Sequence, residues 1–194
     1  MNTNLVDWAA VKADFPVLQR TINDQRLVYL DSANTSQKPH AVIDAMAEFM
    51  RNGYSPINRS AYRLAAEATD LFEAARAKIQ KFINAPHVEE IIFTKNATEA
   101  LNLIAQTWGR ENLHTGDIVV LTHMEHHANI VPWQMLAAER NLEIRWIPLT
   151  IDGQLDLTNL SSLLSGAKVL SFTAMSNVLG TLTPVAQLCQ AAHA

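Results

Sequence analysis

Apolar positions along the chain follow two alternating rhythms. Between Leu64 and Ile83, the residues Leu64, Ala68, Leu71, Phe72, Ala75, Ile79, Phe82 and Ile83 recur at steps of three and four, the mark of one buried helix face. Elsewhere the apolar residues run together: Ile91-Ile92-Phe93, Ile118-Val119-Val120-Leu121 and Val169-Leu170. Short runs without alternation suit strands covered on both faces. The pattern predicts a helix over 6–15 that ends before Pro16, a strand over 27–30, and a helix over 41–50 with Pro39 at its entry and Gly53 at its close. After the long helix it predicts strands at 90–94, 117–122, 143–149 and 168–173. Helices at 98–107, 128–140 and 157–164 alternate with them, and a last helix opens at Thr183-Pro184. Strands joined through helices pair in parallel by crossover connections. The expected fold class is therefore α/β, a mainly parallel sheet with crossover helices. No repeat, low-complexity run or Gly/Ser linker interrupts it, so residues 1–194 read as a single α/β region.

Composition narrows the function classes. Hydrophobic residues are 48% of the 194 and charged residues 18%, enough apolar material for a core and too much for disorder. Lysine and arginine number 15 against 19 acidic residues, a net charge of −4, which argues against a nucleic-acid or anionic-membrane surface. The single cysteine, Cys189, excludes a disulfide framework and a multi-cysteine metal site made by this chain. The opening Met-Asn-Thr-Asn-Leu-Val-Asp-Trp has neither a basic start nor an apolar signal core, so a cytoplasmic protein is the default expectation. From Val169 to Ala194 there is no Asp, Glu, Lys or Arg. Ser171, Thr173, Ser176, Asn177, Thr181, Thr183 and Gln187 interrupt that stretch, which reads as buried interior rather than a membrane span.

Ligands of parallel α/β sheets sit at the carboxyl ends of strands, so chemistry is sought there. After Phe93 the chain reads Thr94-Lys95-Asn96-Ala97-Thr98-Glu99-Ala100, a turn of small and polar residues entering a helix. Free N–H groups at such a start suit a phosphate, with the Thr98 hydroxyl beside them. Simple helix capping by Asn96 or Thr98 explains the same residues. Neither a Walker motif nor Gly-x-Gly-x-x-Gly is present. After Leu121 comes Thr122-His123-Met124-Glu125-His126-His127-Ala128-Asn129, which holds three of the seven histidines. They could form a metal cluster, although no cysteine or spaced carboxylate completes one. One could instead act on a cofactor or substrate as acid, base or stacking ring, or all three could be ordinary surface residues. After Phe172 comes Thr173-Ala174-Met175-Ser176-Asn177-Val178-Leu179-Gly180. There Asn177 could donate to a ligand oxygen or merely shape a turn. Arg59 could hold a carboxylate or phosphate in two-point fashion.

Taken in order, Leu30-Asp31-Ser32-Ala33, Asn58-Arg59, Asn96-Ala97-Thr98-Glu99-Ala100-Leu101-Asn102, Glu125-His126-His127-Ala128-Asn129-Ile130-Val131-Pro132-Trp133-Gln134 and Ser176-Asn177-Val178-Leu179-Gly180 strongly resemble the N-terminal half of the group II (Suf-type) cysteine desulfurases. These are class V aminotransferase-like, fold-type I enzymes dependent on pyridoxal 5'-phosphate (PLP). The resemblance implies that Ala97 and Thr98 bind the PLP phosphate. It implies that His126 stacks on the pyridine ring and moves protons as a catalytic residue, and that Asn177 bonds the ring's phenolic oxygen. It places Ala33, Asn58 and Arg59 at the substrate, and it assigns no metal. It further implies L-cysteine as substrate, a homodimer, and a sulfur-acceptor protein serving iron–sulfur cluster assembly. Relatives are about twice as long by this resemblance. The lysine that joins PLP, the aspartate at its ring nitrogen and the cysteine that takes sulfur are expected beyond this region, with the rest of the large domain and the small domain. A chain without them is expected to be inactive by itself. The alternatives are a non-catalytic product or interaction module, or a related class V enzyme such as a selenocysteine lyase.

Overall fold

The structure is a computed structural model and describes residues 6–57 and 60–194. The chain forms two compact units that divide between Ile92 and Phe93.

The first unit is mainly helical. Helix α1 (Trp8–Ala13) is capped by Asp7, whose carboxylate accepts from the Ala9 and Ala10 N–H groups. A two-residue hairpin follows, β1 (Thr21–Ile22) against β2 (Gln25–Arg26). Asn23 and Asp24 both have positive φ, 51° and 58°, as the tight turn of a right-twisted hairpin requires. The strand expected at 27–30 is absent: only the Leu27 N–H continues the hairpin, donating to the Arg20 carbonyl. Helix α2 (His40–Glu48) runs into a π-helical turn, Phe49–Gly53, and α3 (Arg63–Phe82) is the long helix of the three-and-four pattern. The strand expected at 90–94 is absent too. Val88–Glu90 is a 3₁₀ turn, and the Ile91 carbonyl is taken by the Arg76 guanidinium instead of a neighbouring strand.

The second unit carries a three-stranded, all-parallel sheet in the order β4-β3-β5. Helix α4 (Ala97–Ile104) passes through a π-helical turn, Ala105–Gly109, into the short α5 (Arg110–Asn112). Then come β3 (Ile118–Thr122), α6 (Val131–Arg140), β4 (Glu143–Ile147), α7 (Leu160–Leu164), β5 (Ala167–Ser171) and α8 (Val185–His193). Val119, Val120 and Leu121 are wholly buried in the central strand. Val119 and Leu121 face one core with Ala105, Leu113, Trp133 and Leu136, while Val120 faces a second with Ile147, Leu160 and Leu188. The continuous apolar run thus has a partner layer on each face. Each such side chain contributes about 1.5–3 kcal/mol through burial.

The two faces follow from handedness. The β3-α6-β4 connection moves one way along the sheet, and β4-α7-β5 returns past β3. A right-handed crossover in each direction puts α6 and α7 on opposite faces, where their buried residues are found. Helix α8 shares the face of α7 through Leu188. The neighbouring strands β3 and β5 are therefore followed by helices on opposite faces. Parallel α/β sheets hold ligands at the carboxyl ends of strands that diverge in this way.

Candidate functional site

The loop after β3 is built by side chains that bond back to backbone. His126 caps the 3₁₀ turn His127–Asn129: its Nδ1 accepts from the Ala128 N–H at 3.0 Å. The Asn129 N–H donates to the His126 carbonyl at 2.8 Å, so the turn is closed from both sides. With Nδ1 occupied as an acceptor, a neutral ring carries its proton on Nε2. His126 is exposed, which leaves that nitrogen and a ring face accessible.

Its neighbours are placed differently. The His123 ring lies 5.3 Å from the Trp146 ring of β4, centroid to centroid, and the His123 backbone N–H donates to the Ile147 carbonyl. His127 meets His126 edge to face at 6.2 Å. Among the described residues no group of three or more His, Cys, Asp or Glu side chains gathers as a metal site would need.

The loop after β5 presents Asn177. The buried Ser176 hydroxyl accepts from the Val178 and Leu179 N–H groups at 3.2 and 3.0 Å. Gly180, at φ 72°, donates its N–H to the Ser176 carbonyl, and the Ser176 N–H donates to the Thr181 carbonyl. Asn177 is thereby held at the rim of a closed turn, exposed, with no hydrogen bond to its side-chain amide among the described residues.

The third element is the start of α4, a helix that packs against the His127–Asn129 turn. Asn96 caps it, its Oδ1 accepting from the Glu99 N–H at 2.9 Å, while the Glu99 carboxylate reaches back to accept from the Lys95 N–H at 2.6 Å. This reciprocal arrangement satisfies the donors on either side. It leaves the Ala97 and Thr98 N–H groups and the Thr98 hydroxyl without an acceptor among the described residues. Unclaimed donors at a helix start are what an anion needs.

Ala97 and Thr98 stand at the start of α4, a helix that packs against the turn His126 caps, and Asn177 lies in the loop after β5, the strand beside β3. All four belong to the second unit. Ala33 lies exposed in a turn of the first unit, where the Tyr29 hydroxyl donates to the Thr35 carbonyl. Asn58 and Arg59 lie outside the described residues.

The class-V aminotransferase family profile matches residues 28–194, most of the chain. The chain belongs to that family. It is 50% identical over 185 residues to a cysteine desulfurase of Yersinia pseudotuberculosis and 51% identical to one of Serratia proteamaculans, covering 95% of this chain and 46% of each relative. Its fold matches an apo cysteine desulfurase of Thermococcus onnurineus with a TM-score of 0.87 at 33% identity, over 97% of this chain and 45% of that one. A cysteine desulfurase of Escherichia coli matches with a TM-score of 0.82 at 36% identity, over 98% and 47%. This class-V chain therefore spans about half the length of the curated relatives it matches. No described helix is long and apolar enough to cross a membrane.

The family is PLP-dependent, and the residues present fit that group. A phosphate would find N–H groups of Ala97 and Thr98 that have no acceptor among the described residues, an aromatic ring would find the exposed imidazole of His126, and a ring oxygen would find an Asn177 amide with no partner among those residues. Sequence reasoning did not find Glu125 and Asn129, which brace this site. Glu125 lies in the loop after β3, Asn129 in the 3₁₀ turn and Trp133 in α6, so no single helical period carries a signal for them.

Proposed function

We propose that this chain furnishes the cofactor-holding portion of a PLP-dependent cysteine desulfurase. The enzyme would take L-cysteine to L-alanine and pass the sulfur on as a persulfide. The finer reading is the Suf-type group, acting as a homodimer with a sulfur-acceptor protein in iron–sulfur cluster assembly. What supports it most is one observation: the N–H groups of Ala97 and Thr98 at the start of α4 have no acceptor among the described residues, in a helix that packs against the turn His126 caps. The names of the half-identical relatives point the same way.

PLP, when bound, supplies an electron sink for the carbon that carries the substrate's amino group. The Ala97 and Thr98 N–H groups and the Thr98 hydroxyl anchor the phosphate, aided by the α4 dipole, which contributes about 0.3–2 kcal/mol. His126 would stack on the cofactor ring and hold or move a proton at Nε2, since Nδ1 is committed to Ala128. Asn177 would orient the ring by donating to its oxygen. Ala33, Asn58 and Arg59 are assigned to the substrate. The Lys95 ammonium sits 3.7 Å from Glu99, and no lysine belongs to the His126 or Asn177 loops. The chain alone is accordingly expected to bind PLP with little or no turnover.

A chimaera tests the reading. Residues 6–194 replace the matching part of the Yersinia relative, and L-alanine release from L-cysteine is followed. The chimaera should be active, and its His126→Ala form should lose most of that activity while His123→Ala loses little. A folded, PLP-loaded chimaera with no alanine release overturns the proposal.

A further inference from the structure

A network of polar side chains, separate from the groups assigned to the cofactor, lies beneath the His126 loop. Glu125 Oε1 accepts from the Thr122 hydroxyl at 2.6 Å and from the Thr173 N–H at 2.8 Å. Its Oε2 accepts from the Asn129 amide nitrogen at 2.7 Å. Asn129, itself buried, accepts on Oδ1 from the Trp133 indole N–H at 3.2 Å and from the Ser171 hydroxyl at 2.7 Å. One carboxylate thus ties the end of β3, the 3₁₀ turn and the loop leaving β5.

The directions of these bonds are forced. An indole N–H can only donate, so the Asn129 oxygen must face Trp133 and the Asn129 nitrogen must face Glu125. The Thr173 N–H also only donates. Both Glu125 oxygens must therefore accept, which a carboxylate does and a glutamine cannot. In Glu125→Gln, the new amide nitrogen would face either Asn129 Nδ2 or the Thr173 N–H, donor against donor. An Asn129 flip would only pass the conflict on to the Trp133 indole.

We propose that Glu125 is a positioning residue that locks the His126 loop to the loop carrying Asn177. The lock fixes His126 with Nδ1 accepting and Nε2 protonated. Asn129 transmits it, because its N–H holds the His126 carbonyl while its side chain is held by Glu125. The inference rests on the functional reading above, since a fixed Nε2 matters only where that nitrogen works on a ligand.

The test is nitrogen-15 NMR of the chain without PLP, followed by PLP binding. In the parent chain, the His126 ring should show one tautomer, protonated at Nε2. In Glu125→Gln that pattern should give way to mixed tautomers. The Thr173 amide should exchange about ten- to a hundredfold faster, the range set by losing a hydrogen bond to a charged acceptor. PLP affinity should fall with it, while His123 keeps its parent signals. Thr122→Val removes one donor to Glu125, leaves the other two and also takes the acceptor from the Met124 N–H, so it should shift both signals the same way but less. It also gives the answer if Glu125→Gln does not fold. A folded Glu125→Gln, or failing that Thr122→Val, with parent His126 and Thr173 signals overturns the proposal. A parent chain that shows the Nε2 tautomer and its loss on substitution, yet binds no PLP, refutes the cofactor reading and leaves the lock standing.

Discussion

Gly180 offers a clean perturbation of the Asn177 turn. Its φ of 72° is left-handed, and a Cβ built there meets nothing within 4 Å, so Gly180→Ala costs backbone conformation alone. That conformation costs an L-residue about 1–2 kcal/mol. The reduced freedom of the unfolded chain returns about 0.4–1 kcal/mol for a Gly→Ala change. The net loss of stability is about 1 kcal/mol. If opening of the turn carries that loss, PLP affinity falls by up to about fivefold. Gly180→Asn should lose less on both counts, because asparagine tolerates this region. Gly116 supplies the control: its φ is 88°, it too has open space, and it precedes β3 at the opposite end of the sheet. Gly116→Ala should cost the same stability and leave PLP affinity untouched. Urea unfolding and PLP titration by tryptophan fluorescence read both quantities. The reasoning is refuted if Gly180→Ala matches the parent in stability, or if Gly116→Ala weakens PLP binding equally.

Two other positions give expected outcomes. The Thr183 hydroxyl is buried without a hydrogen-bond partner among the described residues, and an unsatisfied buried group costs about 1–3 kcal/mol. Thr183→Val should therefore stabilise the chain by about 1 kcal/mol in urea unfolding, and a loss of that size would mean the hydroxyl is satisfied. The Thr158 hydroxyl, and next its N–H, hold the Asp156 carboxyl below the usual carboxylate range. A depressed folded value means that this stabilisation is full above the unfolded value and is lost as pH falls through the folded one. Thr158→Val should move the Asp156 titration, followed by carboxyl NMR, back toward the ordinary range; an unmoved titration contradicts the assignment.

Long-period patterns were legible in the sequence, and pairing was not. The three-and-four pattern from Leu64 marked α3 to within a residue at either end, and the apolar run at 118–121 marked the strand buried on both faces. The run at 91–93 looked the same but forms no ladder, because apolar character does not say where a carbonyl finds its donor, and Arg76 supplies one. The hairpin at 21–26 is polar and only two residues a side, so no alternation could show it. At the site, the helix start and strand-end loops could be placed from the chain. The Glu125 network could not, because Thr173 joins it through a backbone N–H that any residue but proline would carry.

The central claim is that the start of α4, His126 and Asn177 hold PLP together. Titrating PLP into isotope-labelled chain while recording its amide, imidazole and side-chain amide signals tests this most directly. Saturable shifts are expected at the Ala97 and Thr98 N–H groups, the His126 ring and the Asn177 side-chain amide, with smaller ones at His123. Saturable shifts elsewhere that leave these four residues unmoved, or no saturation at all, would contradict the claim.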